Sequence, residues 1–372
     1  MSDKRKQLDK AINKLKEKNP SLNLGFNNII EPEYIRTPFV TLNSLNNGGI
    51  PKGKFGTIAG PSQTAKSTLL AQIIGYNMQQ NPDFHALWTD AENSVDKKWF
   101  EKLGVDLNRL IVQDYDEQAH YMEALLDDAL ALVDTRAIDM WVIDSIGALE
   151  PKADSKKELK DEKMLNLQRK LGEFFRRALR VIAAKESYAG CACILIGQVY
   201  NVPTTTGVGL EEVRGGNSVK HFAHWRWKTR RGSKDEGPAA INVRFPDGKV
   251  GKIVPGWPQR IKLDKTKINE KESQEIILQF IHGRGLDSTN AAITALIANE
   301  IVKRDGAMYS HSLFEKPIRG RDNLIKILQD NSELRDKLVK EMDQLLAQSH
   351  IEEIKETEDS EIEELENEHQ DN

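Results

Sequence analysis

Only two cysteines occur in 372 residues, and no run approaches the roughly 18 apolar residues of a membrane span. Cys191 and Cys193 alternate within the apolar run CACILIG, so both thiols fall on one face of a buried strand. That placement speaks against a disulfide framework or a metal site. The opening MSDKRKQLDKAINKLKEKNP is too polar for a secretory signal. These absences lead us to expect a cytoplasmic chain with no membrane partner. No internal repeat with a period of about 20 to 50 residues stands out, which argues against a solenoid.

What is present is 39% hydrophobic and 30% charged, enough for one large core and a smaller satellite. The net charge of −4 is unevenly spread: from Glu352 onward eleven acidic residues face the single Lys355. The tail therefore carries about −10 and the preceding body about +6. A basic body with an acidic tail points to a polyanion partner and an internal competitor for it.

Leu8, Ala11, Ile12 and Leu15 recur at helical spacing among lysines, which predicts a short amphipathic helix ending near Asn19-Pro20. With the polar linker after it, to residue 36, it is a candidate for docking on another subunit. From 37 to 286, the runs FGTIAG, HALWTD, DMWVIDS and CACILIGQ alternate with helical stretches. Such short, nearly continuous apolar runs are strands buried on both faces, so the fold class is α/β with a mainly parallel central sheet. Residues 288–310 and 323–346 read as helices of a small C-terminal domain over 287–348. The segment 349–372 reads as an acidic, disordered tail.

The sequence GTIAGPSQTAKSTLLAQ gives strand, loop and helix in the order that makes a phosphate-binding loop meaningful. Gly60, Pro61, Ser62, Gln63, Thr64, Ala65, Lys66, Ser67 and Thr68 form it, with backbone amides and a helix N-terminus for phosphates. Lys66 is the cation for the β- and γ-phosphates, and the Ser67 hydroxyl faces Mg²⁺. Ala65 stands where the pattern asks for glycine, a cost of about 1 kcal/mol if its φ is positive and little otherwise. Asp144 ends a buried strand, where doubly wound sheets bind ligands, and holds the metal through water. Asp90 and Glu92 end another strand, with Glu92 suited to deprotonate a water. Gln198 ends a third and can sense a γ-phosphate. Four strand ends of this kind argue for an ATPase.

In order and spacing these segments resemble the RecA-type homologous recombinase family, from about residue 37 to about 348. GPSQTAKST is similar to that family's phosphate loop, WTDAENSVDKKWFEKLGV to its catalytic-glutamate segment and WVIDSIGALEPKA to its Walker B strand. ILIGQ resembles the sensor-glutamine segment, GGNSVKHFA the close of the second DNA loop, and LDKTKI the paired-lysine segment. The resemblance implies a RecA-like P-loop ATPase core that uses ATP and Mg²⁺, with Lys66 and Gln198 acting alongside Glu92 as general base. It implies Asp96 and Trp99 beside the adenine, and Lys265 and Lys267 completing a neighbouring subunit's site. It also implies single-stranded and double-stranded DNA as partners, a helical homo-oligomeric filament, and single-strand-binding and loader proteins.

Arg169 and Arg176, seven apart, share one helical face after a polar loop, where they can grip phosphates. YNVPTTTGVGLEEVRGG has no periodicity and four glycines, which predicts a segment that orders on nucleic acid. Gly215 and Gly216 let backbone amides approach the strand. In HWRWKTRR, Trp225 and Trp227 share one strand face and read as core, with Arg226, Lys228 and Arg230 opposite. The resemblance implies that Arg230, Arg231, Arg260 and Lys262 line a second DNA site for the incoming duplex.

Ala65, His221 in place of an aromatic relay residue, and the small tip Val202-Pro203-Thr204 depart from the family pattern. Phage-encoded members relax the loop similarly, so a phage-encoded or otherwise divergent origin is expected. The implied function is ATP-dependent homologous pairing and strand exchange on single-stranded DNA. Two alternatives share the features: a hexameric helicase or motor of the same fold, and a non-hydrolysing recombination mediator. The GGN segment with its following lysine pair weighs against the first, and Glu92 together with Gln198 against the second.

Overall fold

A computed structural model of the protein describes residues 3–16, 33–114, 121–152, 160–183, 189–202, 210–213, 216–238, 241–244, 250–331, 333–342 and 344–345. The lysine-flanked apolar stripe near the N-terminus forms α1 (Asp3–Lys16), and its Leu8 and Leu15 are 51% and 53% exposed. β1 (Tyr34–Ile35) then pairs with β2 (Ile50–Pro51) around α2 (Val40–Leu45).

Strands and helices alternate from there, in the order read from the sequence. They are β3 (Phe55–Gly60), α3 (Lys66–Gln80), β4 (Ala86–Asp90), α4 (Lys97–Lys102), β5 (Leu110–Asp114), α5 (Met122–Asp134), β6 (Met140–Asp144), α6 (Lys160–Ile182) and β7 (Ala192–Val202). There follow β8 (Leu210–Val213), α7 (Gly216–Phe222), β9 (Trp225–Arg231), β10 (Ile241–Arg244), β11 (Val250–Ile253), β12 (Gly256–Thr266), β13 (Glu275–Ile281) and β14 (Gly285–Leu286). The chain continues through α8 (Ser288–Ala298), β15 (Lys303–Asp305), β16 (Met308–Ser310), β17 (Ile318–Arg319) and α9 (Arg321–Asp330).

The central sheet runs β14-β13-β12-β9-β3-β7-β6-β4-β5, with β8 paired to β7. From β9 through β5 every pairing is parallel, while β12, β13 and β14 add an antiparallel wing. β6 shows why the parallel strands need continuous apolar sequence. Its Met140 and Val142 join the core under α3, and its Trp141 and Ile143 join the core under α5 and α6. Each such fully buried side chain contributes about 2 kcal/mol of apolar burial. Trp225 and Trp227 are wholly buried as core residues, their rings 4.3 Å apart, and Cys191 and Cys193 are buried free thiols.

Two sequence expectations change. Helix was expected through Ser310, but α8 stops at Ala298, and β15 and β16 form a hairpin whose turn residue Gly306 has φ 55°. A two-residue turn opening on glycine suits a tight hairpin better than a helix, and β17 completes a three-stranded sheet. Its apolar residues pack with α8 and α9 as a third core, so the C-terminal part is helical with a small sheet. The stretch 200–216 is also not wholly aperiodic. Val199–Val202 pair antiparallel with Leu210–Val213. The first-loop residues 153–159, the tip residues 203–209, Gly215 and the acidic tail lie outside the described residues.

Candidate nucleotide site and nucleic-acid surfaces

The parallel strands bring their C-terminal ends to one rim. Gly60 is in register with Gln198 across β3 and β7, and Asp90 with Asp144 across β4 and β6. The loop from Gly60 to α3 turns tightly over β9, since a Cβ on Gly60 would stand 2.2 Å from Thr229 Oγ1. Gln63 and Ala65 adopt φ of 58° and 50°, so the residue that replaces glycine does occupy the left-handed region. Ala65 is also the N-cap of α3 and offers no side-chain acceptor. The first-turn amides of α3 therefore present their donors to an anion.

Lys66 is 8% exposed, and its Nζ donates to the carbonyls of Pro61 at 2.7 Å and Gly60 at 3.1 Å. Burial lowers its pKa, and the nearby Asp144 and Glu92 oppose that shift. Ser67 Oγ donates to Asp144 Oδ2 at 2.6 Å, although 77 residues separate them. Burial pushes the Asp144 carboxyl up to about 6, against the Ser67 hydrogen bond. A hydroxyl and a buried carboxylate held together beside a lysine and free helix amides fit a phosphate chain with a hard divalent cation.

Glu92 stands on the turn after β4, which Asp90 fixes by accepting from the backbone amides of Val95 at 2.8 Å and Ser94 at 3.1 Å. Two donors converge on Glu92 Oε1: Ser145 Oγ at 2.5 Å and Gln198 Nε2 at 3.1 Å. The Asp144-Ser145 peptide is cis. Asp96 instead caps α4, its Oδ1 accepting from the amides of Lys98 at 2.9 Å and Trp99 at 3.2 Å. Trp99 Nε1 donates to Thr68 Oγ1 at 3.3 Å, which sets the indole against the first turn of α3.

Lys265 and Lys267 point elsewhere within this chain. Lys265 Nζ donates to the Lys220 carbonyl at 2.5 Å and Lys267 Nζ to the His221 carbonyl at 2.8 Å. Both ammonium groups thus sit at the C-terminal end of α7, where the helix dipole favours cations.

Arg169 and Arg176 are exposed on α6, as their spacing predicts. The strand cations are more engaged. Arg230 pairs with Glu275 at 3.1 Å, Arg260 pairs with both Glu236 and Glu275, and Arg226 and Lys228 share Asp264. Lys262 lies opposite Lys228 in the strand register. Arg231 donates to the Gln63 carbonyl at 3.3 Å and lies 4.1 Å from the Trp257 ring centroid. Gly216 opens α7.

Sequence reading missed Ser145 and Thr229. Thr229 Oγ1 meets Thr64 Oγ1 at 2.9 Å, which ties the loop to β9. Alternation carried that signal, because Thr229 follows Trp225 and Trp227 on the inward face of WRWKTRR.

A family model for the RecA N-terminal domain matches residues 6–280. The chain belongs to the RecA family. The Protein RecA of Acinetobacter baylyi is 31% identical over 337 residues, covering 89% of this chain and 89% of that protein. The Protein RecA of Acinetobacter baumannii is 30% identical over 341 residues, covering 90% of each. Every rim residue described above lies inside the span that the RecA N-terminal domain matches. Among the described residues no helix is long and apolar enough to cross a membrane.

Proposed function

We propose that this protein is an ATP-dependent DNA recombinase that polymerises on single-stranded DNA and catalyses homologous pairing and strand exchange in the cytoplasm. The observation that carries the proposal is the hydrogen-bonded cluster at the sheet rim. Ser67 meets Asp144, and Glu92 meets Gln198 and Ser145, within a chain of the RecA family.

In this reading Lys66 and the first-turn amides of α3 bind the phosphates, and Thr68 and Trp99 bound the nucleotide beside them. Asp96 acts through α4, which it caps and which carries Trp99. Ser67 and Asp144 would hold Mg²⁺, Asp144 through water; the ion, when bound, neutralises charge on the phosphate oxygens. Glu92 takes a proton from the attacking water, while Ser145 and Gln198 fix its carboxylate. Because Gln198 lies on β7, which leads into the β7–β8 hairpin, a change at the nucleotide would reach the second DNA loop through one strand. Lys265 and Lys267 would serve a neighbouring subunit's site in the filament.

Arg169 and Arg176 on α6, with Gly215 and Gly216, are assigned to single-stranded DNA. Arg230, Arg231, Arg260 and Lys262 are assigned to the incoming duplex, whose phosphates would compete with Glu236 and Glu275. The half-exposed stripe of α1 is assigned to docking between subunits, and 37–286 and 287–348 to an ATPase core and a C-terminal domain.

The test is strand exchange between circular single-stranded DNA and homologous linear duplex, with ATP and Mg²⁺. Wild type should form joint molecules and Lys66→Ala should form none. ATP turnover with rings in electron micrographs and no joint molecules would replace this reading with a motor.

A further inference from the structure

The loop from Gly60 to Ala65 holds two non-glycine residues, Gln63 and Ala65, at positive φ. There each Cβ crowds the following carbonyl, so the shape persists only if neighbours restrain it. β9 supplies the restraint. Thr229 Oγ1 meets Thr64 Oγ1 at 2.9 Å, and two residues further along the strand Arg231 donates to the Gln63 carbonyl at 3.3 Å. The guanidinium is itself fixed, lying over Trp257, whose ring stacks on Phe280 with centroids 3.9 Å apart.

We propose that Arg231 is a positioning residue of the phosphate loop, a second pin beside Thr229 that holds Gln63 to Ala65 in their left-handed shape. The proposal rests on the loop being the nucleotide site. It gives Arg231 a task besides meeting DNA phosphates. A DNA phosphate that pulls the guanidinium off Trp257 would also loosen its hold on Gln63, which links DNA on this strand edge to nucleotide in the loop through one side chain.

The experiment measures binding of a fluorescent ATP analogue with Mg²⁺ on full-length protein without DNA. Arg231→Ala should weaken binding about five- to tenfold. Arg231→Lys should recover little, because an ammonium lacks the planar face that stacks on Trp257. Adding Gln63→Gly to Arg231→Ala should recover part of the affinity, since glycine holds positive φ without a Cβ. Wild-type nucleotide affinity in Arg231→Ala, with weakened duplex binding, would make Arg231 a DNA contact alone and overturn the proposal. A loss that Gln63→Gly leaves untouched would also overturn it. If wild type binds no better than Lys66→Ala, the reading of the loop as a nucleotide site fails first and the proposal fails with it.

Discussion

At Glu92 a single oxygen, Oε1, accepts from both Ser145 and Gln198, and that convergence defines what substitutions should do. Glu92→Gln keeps the size but removes the proton acceptor. It should lower DNA-stimulated kcat by about 10²- to 10⁴-fold with ATP binding retained, read by phosphate release and nucleotide titration. Ser145→Ala should lower kcat about tenfold through loss of one donor, with KM unmoved. Lys66, Ser67, Glu92, Asp144 and Gln198 were legible in the sequence, because each closes an apolar run or opens a helix. Their mutual contacts were not, since Glu92 and Ser145 meet only after β4 is laid beside β6. Asp96 has a further contact at this scale. The family resemblance implies Asp96 beside an adenine, and in the folded chain its Oδ1 also accepts from two amides of α4, a cap that no spacing in the sequence announced.

Between elements, β3 depends closely on β9. A Cβ on Gly56 would stand 1.9 Å from the Trp225 ring. Gly56→Ala should therefore destabilise the protein by about 3 kcal/mol or more, seen as a lower denaturation midpoint at unchanged slope. The same strand pair contains a pH response. Phe55 donates its backbone N–H to His224 Nδ1 at 3.3 Å. Burial, then the nearby Lys54 and Lys267, bring His224 down to about 4. The unfolded chain binds its proton near 6.5 and the folded chain only near 4. Stability from this group is thus present above about pH 6.5 and lost as pH falls toward 4. His224→Gln should flatten melting temperature against pH across that window. Parallel strands could be read from their unbroken apolar runs. The wing of β12 to β14 and the C-terminal hairpin were harder, because half-buried strands carry mixed sequence without an unbroken apolar run.

For the whole molecule, much of the basic charge on the β9–β12 face is already paired. Arg230 and Arg260 are already matched by Glu275 and Glu236, and Arg226 and Lys228 by Asp264. Long-range charge should then weigh more in duplex capture. Removing residues 352–372 takes away about ten negative charges and should tighten duplex binding at low salt, with the gain fading at high salt. Fluorescence anisotropy at two salt concentrations checks this, and unchanged binding at low salt would end the idea of a competing tail.

Lys265 and Lys267 hold the last carbonyls of α7, the helix that follows the second DNA loop. In the arrangement proposed above, an ammonium group drawn toward a neighbour's phosphate would bind that helix end less closely. If the proposed filament forms, the same stock of two charges would have to be divided between finishing this chain's own fold and joining another copy, so assembly would be a redistribution of that stock.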